Sequence, residues 1–367
     1  MKKKILFLTV NLSGGGAEKV LIDILRNLDG ERYDVTLCTL FNQGVYLGDL
    51  PDFVRYRTVI KKPNKIKNAL FWRLVKYLPP RWTYRLFLRG TYDTEIAFLE
   101  GLPTILLSES PCENKIAWVH TDLQNFNWVS FYYRSDRHLS DSYQQYNNVV
   151  FVSKQAKASY EERFGPLDRG IVIYNPIDKA TILQRSEEFV PDQDPAVPVI
   201  CGVGRLIPVK GFRRLLSVHK RIIDEGIPHK LWLLGTGPEE QPIRDFIREN
   251  GLEDSVTLWG FQKNPYPFVK RADLFVCPSV MEGYPLSVGE ALSLKKPIVA
   301  TNCTGPTELL NNGTFGVLTE NSEDGLYDAL RCLLTDEEQR KKLKERAILG
   351  SESLDPSKLI RQIEALL

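Results

Sequence analysis

The sequence predicts an α/β protein made of two doubly wound, Rossmann-like domains. Short apolar runs alternate with amphipathic, helix-length segments along the whole chain, and this series starts again after a polar, proline-containing stretch at 183–197. Strands that are apolar on both faces and alternate with helices form parallel sheets that are covered on both sides. A length of 367 residues, 43% of them hydrophobic, is sufficient for two such cores.

The predicted strands fall into two groups. In the first half they are ILFLTV (5–10), YDVTLCTL (33–40), TEIAFLE (94–100), KIAWVH (115–120) and NVVFVS (148–153). In the second half they are PVICGVG (198–204), KLWLLG (230–235), SVTLWG (255–260), DLFVCPS (273–279) and KPIVATN (296–302). Segments such as 17–28 and 239–251 have the pattern of the helices that connect them.

These groups predict a first domain at 1–175 and a second domain at 176–350. The last segment, 351–367, is predicted to be a helix that returns to the first domain. Ligands of doubly wound sheets bind outside the carboxyl ends of the strands. Two such domains are therefore expected to face each other across a central cleft that holds the ligand.

Charge and cysteine usage exclude several classes of protein. Lys and Arg number 48 against 46 Asp and Glu, and a net charge of +2 argues against a nucleic-acid binder. The six cysteines form no C-x-x-C pair and the four histidines show no metal-ligand spacing, which predicts free thiols, a reducing cytosol and no metal. The pair Asp192 and Asp194 lies between prolines and is interpreted as loop. No apolar run approaches the roughly 18 residues of a membrane span.

The first predicted strand leads into a turn of three glycines, in NLSGGGAEKV. Gly14, Gly15 and Gly16 allow a tight turn and a close approach of the backbone to a ligand. A helix from about Ala17 directs free N–H groups at this turn, which favours an anion. The turn is neither G-x-G-x-x-G nor a Walker loop. A phosphate contact and a plain tight turn therefore both remain open.

Strand ends in the second half carry cations, glycines and an aromatic ring. In GVGRLIPVKGF, Arg205 and Lys210 follow a strand directly, at its carboxyl end. A guanidinium fork and a compact ammonium suit a diphosphate. Their position at the strand end favours this role over the alternative, a solvated pair of surface charges. LLGTGPEE places Gly235 at the next strand end. LWGFQ places Gly260 beside Phe261, an edge that fits a nucleobase. Taken singly, these last two stretches fit an ordinary turn and a core phenylalanine equally well.

The stretch SVMEGYPLSVGEAL places two carboxylates on either side of a strand-to-helix turn. Glu282 precedes the turn, and Glu290 lies about one helical turn beyond the helix start. The first N–H groups of this helix, around Ser287 and Val288, suit a phosphate. Carboxylates accept hydrogen bonds from pairs of sugar hydroxyls, so the arrangement matches a nucleotide-sugar. The alternative for Glu290 is a favourable charge near the helix start.

The set GGAEKV, GVGRLIPVKGF, LLGTGPE and EGYPLSVGEAL resembles the retaining glycosyltransferases of family four, which have the GT-B fold. The motifs occur in the family's order and spacing over nearly the whole chain. The resemblance implies transfer of a hexose or N-acetylhexosamine from a nucleotide-sugar, UDP-linked by family resemblance, to a saccharide acceptor. A lipid-linked acceptor in bacterial capsule, exopolysaccharide or O-antigen synthesis is expected. The resemblance also implies that neither a metal nor another cofactor is needed.

The resemblance assigns roles to individual residues. Arg205 and Lys210 would hold the donor diphosphate, Glu290 the ribose and Glu282 the transferred sugar, whereas His120 would contact the sugar near its reacting centre. The predicted catalytic residues are His120, Glu282, Arg205 and Lys210, and the other donor-binding residues are Gly15, Gly16, Gly235, Gly260, Phe261, Gly283, Tyr284, Pro285, Ser287, Val288 and Glu290. Glu18 and Asp122 are weaker candidates for the acceptor site, and Glu18 equally fits a stabilising first-turn charge. For His120, the alternative is a satisfied core histidine.

The segment 61–92 contains nine Lys and Arg residues, several aromatic residues and no Asp or Glu. A basic, aromatic, amphipathic stretch is typical of a helix that lies on an anionic membrane surface. An ordinary pair of helices whose aromatic residues are core is the alternative. The predicted location is therefore the cytoplasm, with peripheral binding to the inner face of the cell membrane through 61–92.

Two other functions share parts of this pattern. A nucleotide-sugar 2-epimerase has the same architecture, but it needs acid and base groups around C2 of the sugar, and His120 is the one candidate. A non-catalytic sugar-nucleotide-binding protein is expected to have damaged motifs, whereas those found here are intact. An NAD-dependent dehydrogenase is disfavoured, because G-x-G-x-x-G with an acidic residue about 20 positions later is missing.

Overall fold

The computed structural model describes residues 1–124, 127–192 and 196–367, and within them the chain divides into two compact units. The first unit comprises Met1–Pro176 and Ser357–Leu367, and the second comprises Ile177–Pro356. The terminal helix is shorter than predicted, because the preceding helix continues to Ser353 and a new helix begins at Pro356. Proline is favoured at the first position of a helix, where its missing N–H is not needed.

The first unit contains a seven-stranded sheet. Its strands are β1 (Lys3–Thr9), β2 (Tyr33–Phe41), β3 (Arg55–Ile60), β4 (Thr94–Ala97), β5 (Asn114–Val119), β6 (Asn148–Phe151) and β7 (Gly170–Val172). Its helices are α1 (Gly16–Asn27), α2 (Lys65–Tyr77), α3 (Pro80–Phe87), α4 (Leu102–Ser108), α5 (Asp136–Gln144), α6 (Lys154–Phe164) and, from the chain end, α15 (Pro356–Glu364). Short 3-10 helices lie at Leu47–Asp49 and Asn127–Tyr132.

The strands of this sheet are parallel and follow the order β3-β2-β1-β4-β5-β6-β7. The order reverses between β1 and β4, which is the switch point of a doubly wound sheet. Strands β3 and β7 were absent from the sequence-based prediction. None of the residues of β3 is buried and β7 has three residues, so neither edge strand has the apolar run that reveals an interior strand.

The second unit contains a six-stranded sheet. Its strands are β8 (Val199–Val203), β9 (Lys230–Leu234), β10 (Val256–Gly260), β11 (Leu274–Cys277), β12 (Ile298–Thr301) and β13 (Val317–Thr319). Its helices are α7 (Lys179–Arg185), α8 (Phe212–Asp224), α9 (Glu240–Glu249), α10 (Tyr266–Arg271), α11 (Leu286–Ser293), α12 (Thr304–Leu309), α13 (Glu323–Thr335) and α14 (Glu337–Ser353). A 3-10 helix lies at Pro208–Lys210.

This sheet is also parallel, with the order β10-β9-β8-β11-β12-β13 and a switch point between β8 and β11. The two units therefore confirm the predicted α/β architecture of two doubly wound sheets. The three-residue edge strand β13 was not predicted, for the same reason as β7. Helix α7 extends into the polar stretch at 183–197 as far as Arg185, and the Asp178 carboxylate caps its start by accepting from the N–H of Thr181.

Two further features of the described residues bear on function. All six cysteines are free, and Cys201 and Cys277 are buried, as their apolar surroundings predict. Within the described ranges, no helix combines the length and apolar composition that a membrane span requires. Asp192 lies in a bend of the described chain, whereas Asp194 falls outside the described residues.

Candidate functional site

The loop after β8 carries Arg205 and is held by the turn after β9. The N–H of Leu206 donates to the carbonyl of Thr236 at 2.9 Å. Gly235 has a φ of +140°, and a Cβ at this position would lie 1.8 Å from the carbonyl oxygen of Gly204. Only glycine permits this approach, so Gly235 shapes the loop that presents Arg205. The Arg205 side chain itself is exposed.

Lys210 is placed by contacts between the loops that follow β8 and β11, the two strands at the switch point. Gly211, at a φ of +69°, would bring a Cβ to 2.0 Å from the carbonyl oxygen of Pro278. The N–H of Val280 donates to the carbonyl of Val209 at 2.8 Å. Because these backbones are joined, Lys210 lies next to the loop that carries Glu282.

Lys210 and Glu282 form an ion pair within the second unit. The Lys210 Nζ donates to Glu282 Oε1 at 2.6 Å, and the Ser279 hydroxyl donates to the same oxygen at 2.6 Å. Glu282 is 8% exposed. Burial, and next the charge of Glu282, raise the pKa of the Cys277 thiol to about 11. Two residues that are 72 positions apart therefore form an ion pair at the switch point of the sheet.

The second predicted carboxylate, Glu290, lies on α11 and is 7% exposed. Tyr266 of α10 donates its hydroxyl hydrogen to Glu290 Oε1 at 3.3 Å. The side chain is thus buried inside the fold, not a solvated charge near a helix start. The N–H of Val288 already donates to the Pro285 carbonyl at 3.1 Å, so a phosphate would compete with this turn for the predicted Val288 contact.

The remaining donor-site candidates of the second unit surround this turn or the end of β10. Phe261 is exposed, so it is not the core phenylalanine of the alternative interpretation. Gly260, at a φ of +67°, accepts from the N–H of Gly235 at 2.8 Å. Gly283 is buried, and Tyr284 and Ser287 are half-buried. Pro285 precedes α11 as its N-cap residue.

In the first unit, His120 directly follows β5 and is half-buried. Its Nε2 lies 3.1 Å from the carbonyl oxygen of Phe98, and the two rings pack with centroids 4.9 Å apart. A carbonyl can only accept, so Nε2 carries the hydrogen and Nδ1 keeps its lone pair. Burial lowers the pKa of His120 to about 3, and the ring is therefore neutral at neutral pH.

Glu100 was missed by the sequence analysis, although it belongs to the predicted strand segment 94–100. It is 1% exposed, and its Oε1 accepts from the backbone N–H groups of His120 at 2.5 Å and Thr121 at 2.8 Å. Its neighbours lie about twenty residues away, across two parallel strands. Nothing in the local pattern FLEG indicates that pairing, and only the order of β4 and β5 could have suggested it.

The glycine turn of the first unit is occupied by its own carboxylate. Helix α1 begins at Gly16 with Gly15 as its N-cap residue, and a Cβ on Gly15 would meet Glu18 Oε2 at 2.2 Å. The Glu18 side chain thus folds over the helix start, in the position of a stabilising first-turn charge. Asp122 is 1% exposed and accepts from the N–H of Gln124 at 3.0 Å, which is the position of a turn acceptor.

The segment 61–92 forms α2 and α3 of the first unit, and its apolar residues divide between core and surface. Phe71, Val75 and Tyr84 are buried. The exposed large residues are Ile66, Leu70, Tyr77, Trp82 and Leu86, with Trp82 67% exposed. The helices therefore pack on the core through these three residues and also expose an apolar and basic surface. Binding of this surface to a membrane stays a prediction.

Two family models together match most of the chain. Glycosyltransferase Family 4 matches residues 14–181, and Glycosyl transferases group 1 matches residues 184–349. A full-length relative is the N-acetylgalactosamine-N,N'-diacetylbacillosaminyl-diphospho-undecaprenol 4-alpha-N-acetylgalactosaminyltransferase of Campylobacter jejuni. It is 27% identical over 364 residues, covering 96% of this chain and 95% of that protein. An uncharacterized glycosyltransferase of Haemophilus influenzae is 24% identical over the full length of both chains.

Solved structures show the same fold. Anabaena HepE in complex with UDP-glucose has a TM-score of 0.75 at 20% identity, covering 99% of this chain and 98% of that chain. The family models, the full-length relatives and the two doubly wound sheets agree with each other. The chain belongs to the glycosyltransferases of family four and has the GT-B fold.

Proposed function

We propose that this glycosyltransferase moves a hexose or an N-acetylhexosamine from a UDP-sugar to a lipid-linked saccharide, with retention at the anomeric carbon. The observation that carries the proposal is the Lys210–Glu282 ion pair at the switch point of the second sheet, with buried Glu290 on the following helix. UDP is the nucleotide in HepE. The name of the Campylobacter relative describes an acceptor on diphospho-undecaprenol.

The second unit supplies the groups that hold the donor. An ammonium has three hydrogens, so Lys210 keeps its bond to Glu282 and donates another to the diphosphate. Exposed Arg205 adds a guanidinium fork, and exposed Phe261 supports the uracil ring. Glu290 accepts from the ribose hydroxyls, and the free oxygen of Glu282 accepts from the sugar.

These groups also promote the reaction itself. As the bond between the sugar and the diphosphate breaks, negative charge grows on the leaving phosphate, and Lys210 and Arg205 stabilise it in place. The leaving phosphate oxygen takes the proton of the attacking acceptor hydroxyl, which approaches the same face of the sugar. Neutral His120 accepts a hydrogen bond from a sugar hydroxyl at Nδ1.

Because two side-chain cations neutralise the leaving group, the reaction is proposed to need no metal ion. Excess EDTA is expected to leave the transfer rate unchanged, and restoration of activity by added Mg²⁺ or Mn²⁺ after EDTA treatment would contradict this part of the proposal. A divalent cation that raised the rate without prior EDTA treatment would also count against it.

The acceptor side of the proposal is supported by the surface of α2 and α3. Nine basic residues and no acidic residue lie in 61–92, and Trp82 and Tyr77 are exposed there. Each basic residue near an anionic membrane contributes about 1 kcal/mol. The protein is expected to float with liposomes containing phosphatidylglycerol but not with phosphatidylcholine alone, and to lose binding when lysines and arginines of 61–92 are replaced by glutamine. Equal recovery with both lipids would contradict the membrane proposal.

The donor proposal is tested with a panel of nucleotide-sugars. Thermal shift and slow donor hydrolysis are measured for UDP-, GDP- and ADP-hexoses and for UDP-N-acetylhexosamines. A UDP-sugar is expected to give the largest stabilisation and to be the one that is hydrolysed, and NMR of the transferred product should show the anomeric configuration of the donor. A preference for GDP- or ADP-sugars would overturn the proposed UDP donor, and a product of inverted configuration would overturn the proposed retention. Conversion of the sugar at C2 without transfer would identify an epimerase instead.

A further inference from the structure

The loops after β4 and β5 of the first unit hold each other in place. The two strands pair in parallel, with Ala97 opposite Ala117, so the segments that leave them lie side by side. Phe98 to Glu100 leave β4, and His120 and Thr121 leave β5. The contacts of Glu100 and of the His120 ring join these two segments.

A single oxygen of Glu100 accepts three hydrogen bonds. Oε1 lies 2.5 Å from the N of His120, 2.8 Å from the N of Thr121 and 3.0 Å from the Thr121 hydroxyl oxygen. The other oxygen, Oε2, is buried and has no hydrogen-bond partner among the described residues. A carboxyl group that is 1% exposed is costly to bury, so its three contacts are what retain it there.

The ring of His120 is held by the same segment. Nε2 donates to the carbonyl of Phe98 at 3.1 Å, which leaves the lone pair on Nδ1. Glu100 holds the peptide group of His120, and Phe98 holds the ring. The backbone and the side chain of His120 are thus both hydrogen-bonded to the stretch 98–100. Freedom of the backbone at residue 120 would allow the ring to turn away from Phe98.

We infer that Glu100 is a positioning residue that holds His120 in the Nε2–H tautomer, with the Nδ1 lone pair directed to a hydroxyl of the transferred sugar. This inference rests on the proposed function, because it assigns His120 to the donor sugar. Glu100 acts through its acceptor oxygen and exchanges no proton with the substrate. Its amide analogue, with the same acceptor oxygen, therefore supports the same arrangement.

A matched control lies on β4 itself. Glu95 is also 1% exposed, accepts a hydrogen bond from the Tyr84 hydroxyl at 2.6 Å, and has a buried Oε2 without a partner among the described residues. Within the described part of the chain, the side-chain hydrogen bonds to the backbone of His120 and Thr121 come from Glu100 and not from Glu95. Replacing Glu95 tests the general effect of losing a buried carboxyl group near this strand.

The first experiment measures the tautomer of His120 by NMR and needs no substrate. Histidine side chains are labelled with ¹⁵N, and the signals of the four rings are assigned with single His→Asn variants. In the wild type, His120 is expected to show the Nε2–H tautomer. In folded Glu100→Ala its two nitrogen signals should move towards a mixture of tautomers, whereas Glu100→Gln and Glu95→Ala should keep the wild-type signals. Unchanged His120 signals in Glu100→Ala would overturn the inference.

The second experiment measures transfer with saturating acceptor. A misplacement of about 1 Å costs on the order of 100-fold in rate, so Glu100→Ala is expected to lower kcat by roughly that factor with little change in KM for the donor. Glu100→Gln should restore most of the rate, and Glu95→Ala should keep the wild-type kcat. In a His120→Ala background, Glu100→Ala should have no further effect, because the two residues act as one.

The outcomes separate the inference from the proposed function. Additive losses in the double variant, or equal losses in Glu100→Ala and Glu95→Ala, would show that Glu100 acts on stability alone and would overturn the inference. If His120→Ala itself transfers sugar at the wild-type rate, the role proposed for His120 is wrong. The NMR signals of Glu100→Ala still decide whether Glu100 sets the tautomer.

Discussion

The Lys210 ammonium donates to the Glu282 carboxylate at 2.6 Å, and the two residues follow the strands on either side of the switch point in the second sheet. The Lys210 side chain is 24% exposed and that of Glu282 is 9% exposed. Taking either partner away leaves a charge in a site with little water. The pair therefore couples the stability of the second unit to its proposed catalytic role.

Replacing Lys210 with Met should abolish transfer and destabilise the second unit. Loss of a donor that stabilises the developing charge costs about 2.7–4 kcal/mol, or roughly 100- to 1000-fold in kcat. Glu282→Gln should lose activity to a similar degree. The double variant should be more stable to urea than Lys210→Met alone, because no buried charge is left without its partner.

The matched control for this prediction is Lys220→Met, in α8 of the same unit. Its partner Asp224 is exposed, and exposed ion pairs contribute about 0–1 kcal/mol. This variant should keep wild-type transfer and nearly wild-type stability. Near-normal turnover in Lys210→Met would refute the assignment of the donor site.

Replacing Glu290 with Gln should weaken UDP binding more than it lowers kcat. The carboxylate presents only acceptors to the ribose hydroxyls, whereas an amide presents donors as well. Loss of a hydrogen bond to a charged group costs about 1.5–3 kcal/mol, which corresponds to a roughly ten- to hundredfold higher Kd.

Isothermal titration with UDP measures this effect. Tyr266→Phe is the control, because its hydroxyl makes a 3.3 Å contact with Glu290 and should contribute little to affinity. Equal affinity of Glu290→Gln and the wild type would remove Glu290 from the nucleotide site.

The second unit should become less stable as the pH falls below about 6.5, the ordinary pKa of histidine. His219 and His229 are each 2% exposed, and His219 Nδ1 lies 2.8 Å from His229 Nε2. Burial, followed by the neighbouring His229 and Lys230, lowers the pKa of His219 to about 3. Burial also lowers the pKa of His229.

The loss of stability at low pH arises because the unfolded chain binds more protons than the native protein. Between pH 6.5 and about 3, the unfolded chain binds a proton at His219 that the native protein does not bind. As the pH falls through this range, the free energy of unfolding therefore decreases by up to about 1.4 kcal/mol per pH unit. The stabilisation is complete above pH 6.5. Melting temperatures of the wild type and His219→Gln from pH 7.5 to 4.5 test this. The variant should start lower and decline less, and parallel declines would count against the assignment.

Removing residues 357–367 should destabilise the first unit and leave the second unit largely intact. Ile360 and Ile363 of α15 are buried, and full burial of such a side chain contributes about 1.5–3 kcal/mol. The Asn114 side chain also donates to the Leu366 carbonyl at 2.8 Å. Hydrogen exchange read by mass spectrometry should show faster exchange in β4 and β5 but not in β8 to β12. If truncation leaves the exchange of β4 and β5 unchanged, or speeds exchange equally in both units, the prediction is wrong.

Interior strands and contiguous motifs could be predicted from the sequence because their signals are local. All ten predicted strands exist, whereas β3, β7 and β13 lie at sheet edges, where exposure or brevity removes the apolar signal. Lys210 and Glu282 were found through their motifs. Their ion pair depends on backbone contacts between two loops, and that information is not local.

Other site contacts join residues that are distant in sequence and share no motif. Tyr266 reaches Glu290 from another helix, and Glu100 reaches His120 across a strand pair. Burial of Glu290 and exposure of Phe261 also depend on packing that periodicity does not reveal. Sequence reasoning therefore named the candidate residues of the proposed donor site, but not the neighbouring residues that hold them.

The return of α15 to the first unit has a consequence for engineering chimeric enzymes. A hybrid made by joining two parents at a single crossover near residue 176 would combine an N-terminal part from one parent with the last helix of the other. Ile363 would then pack against a foreign surface. A second crossover near residue 356 restores the native partner, so donor specificity should be exchanged as an internal cassette with two junctions.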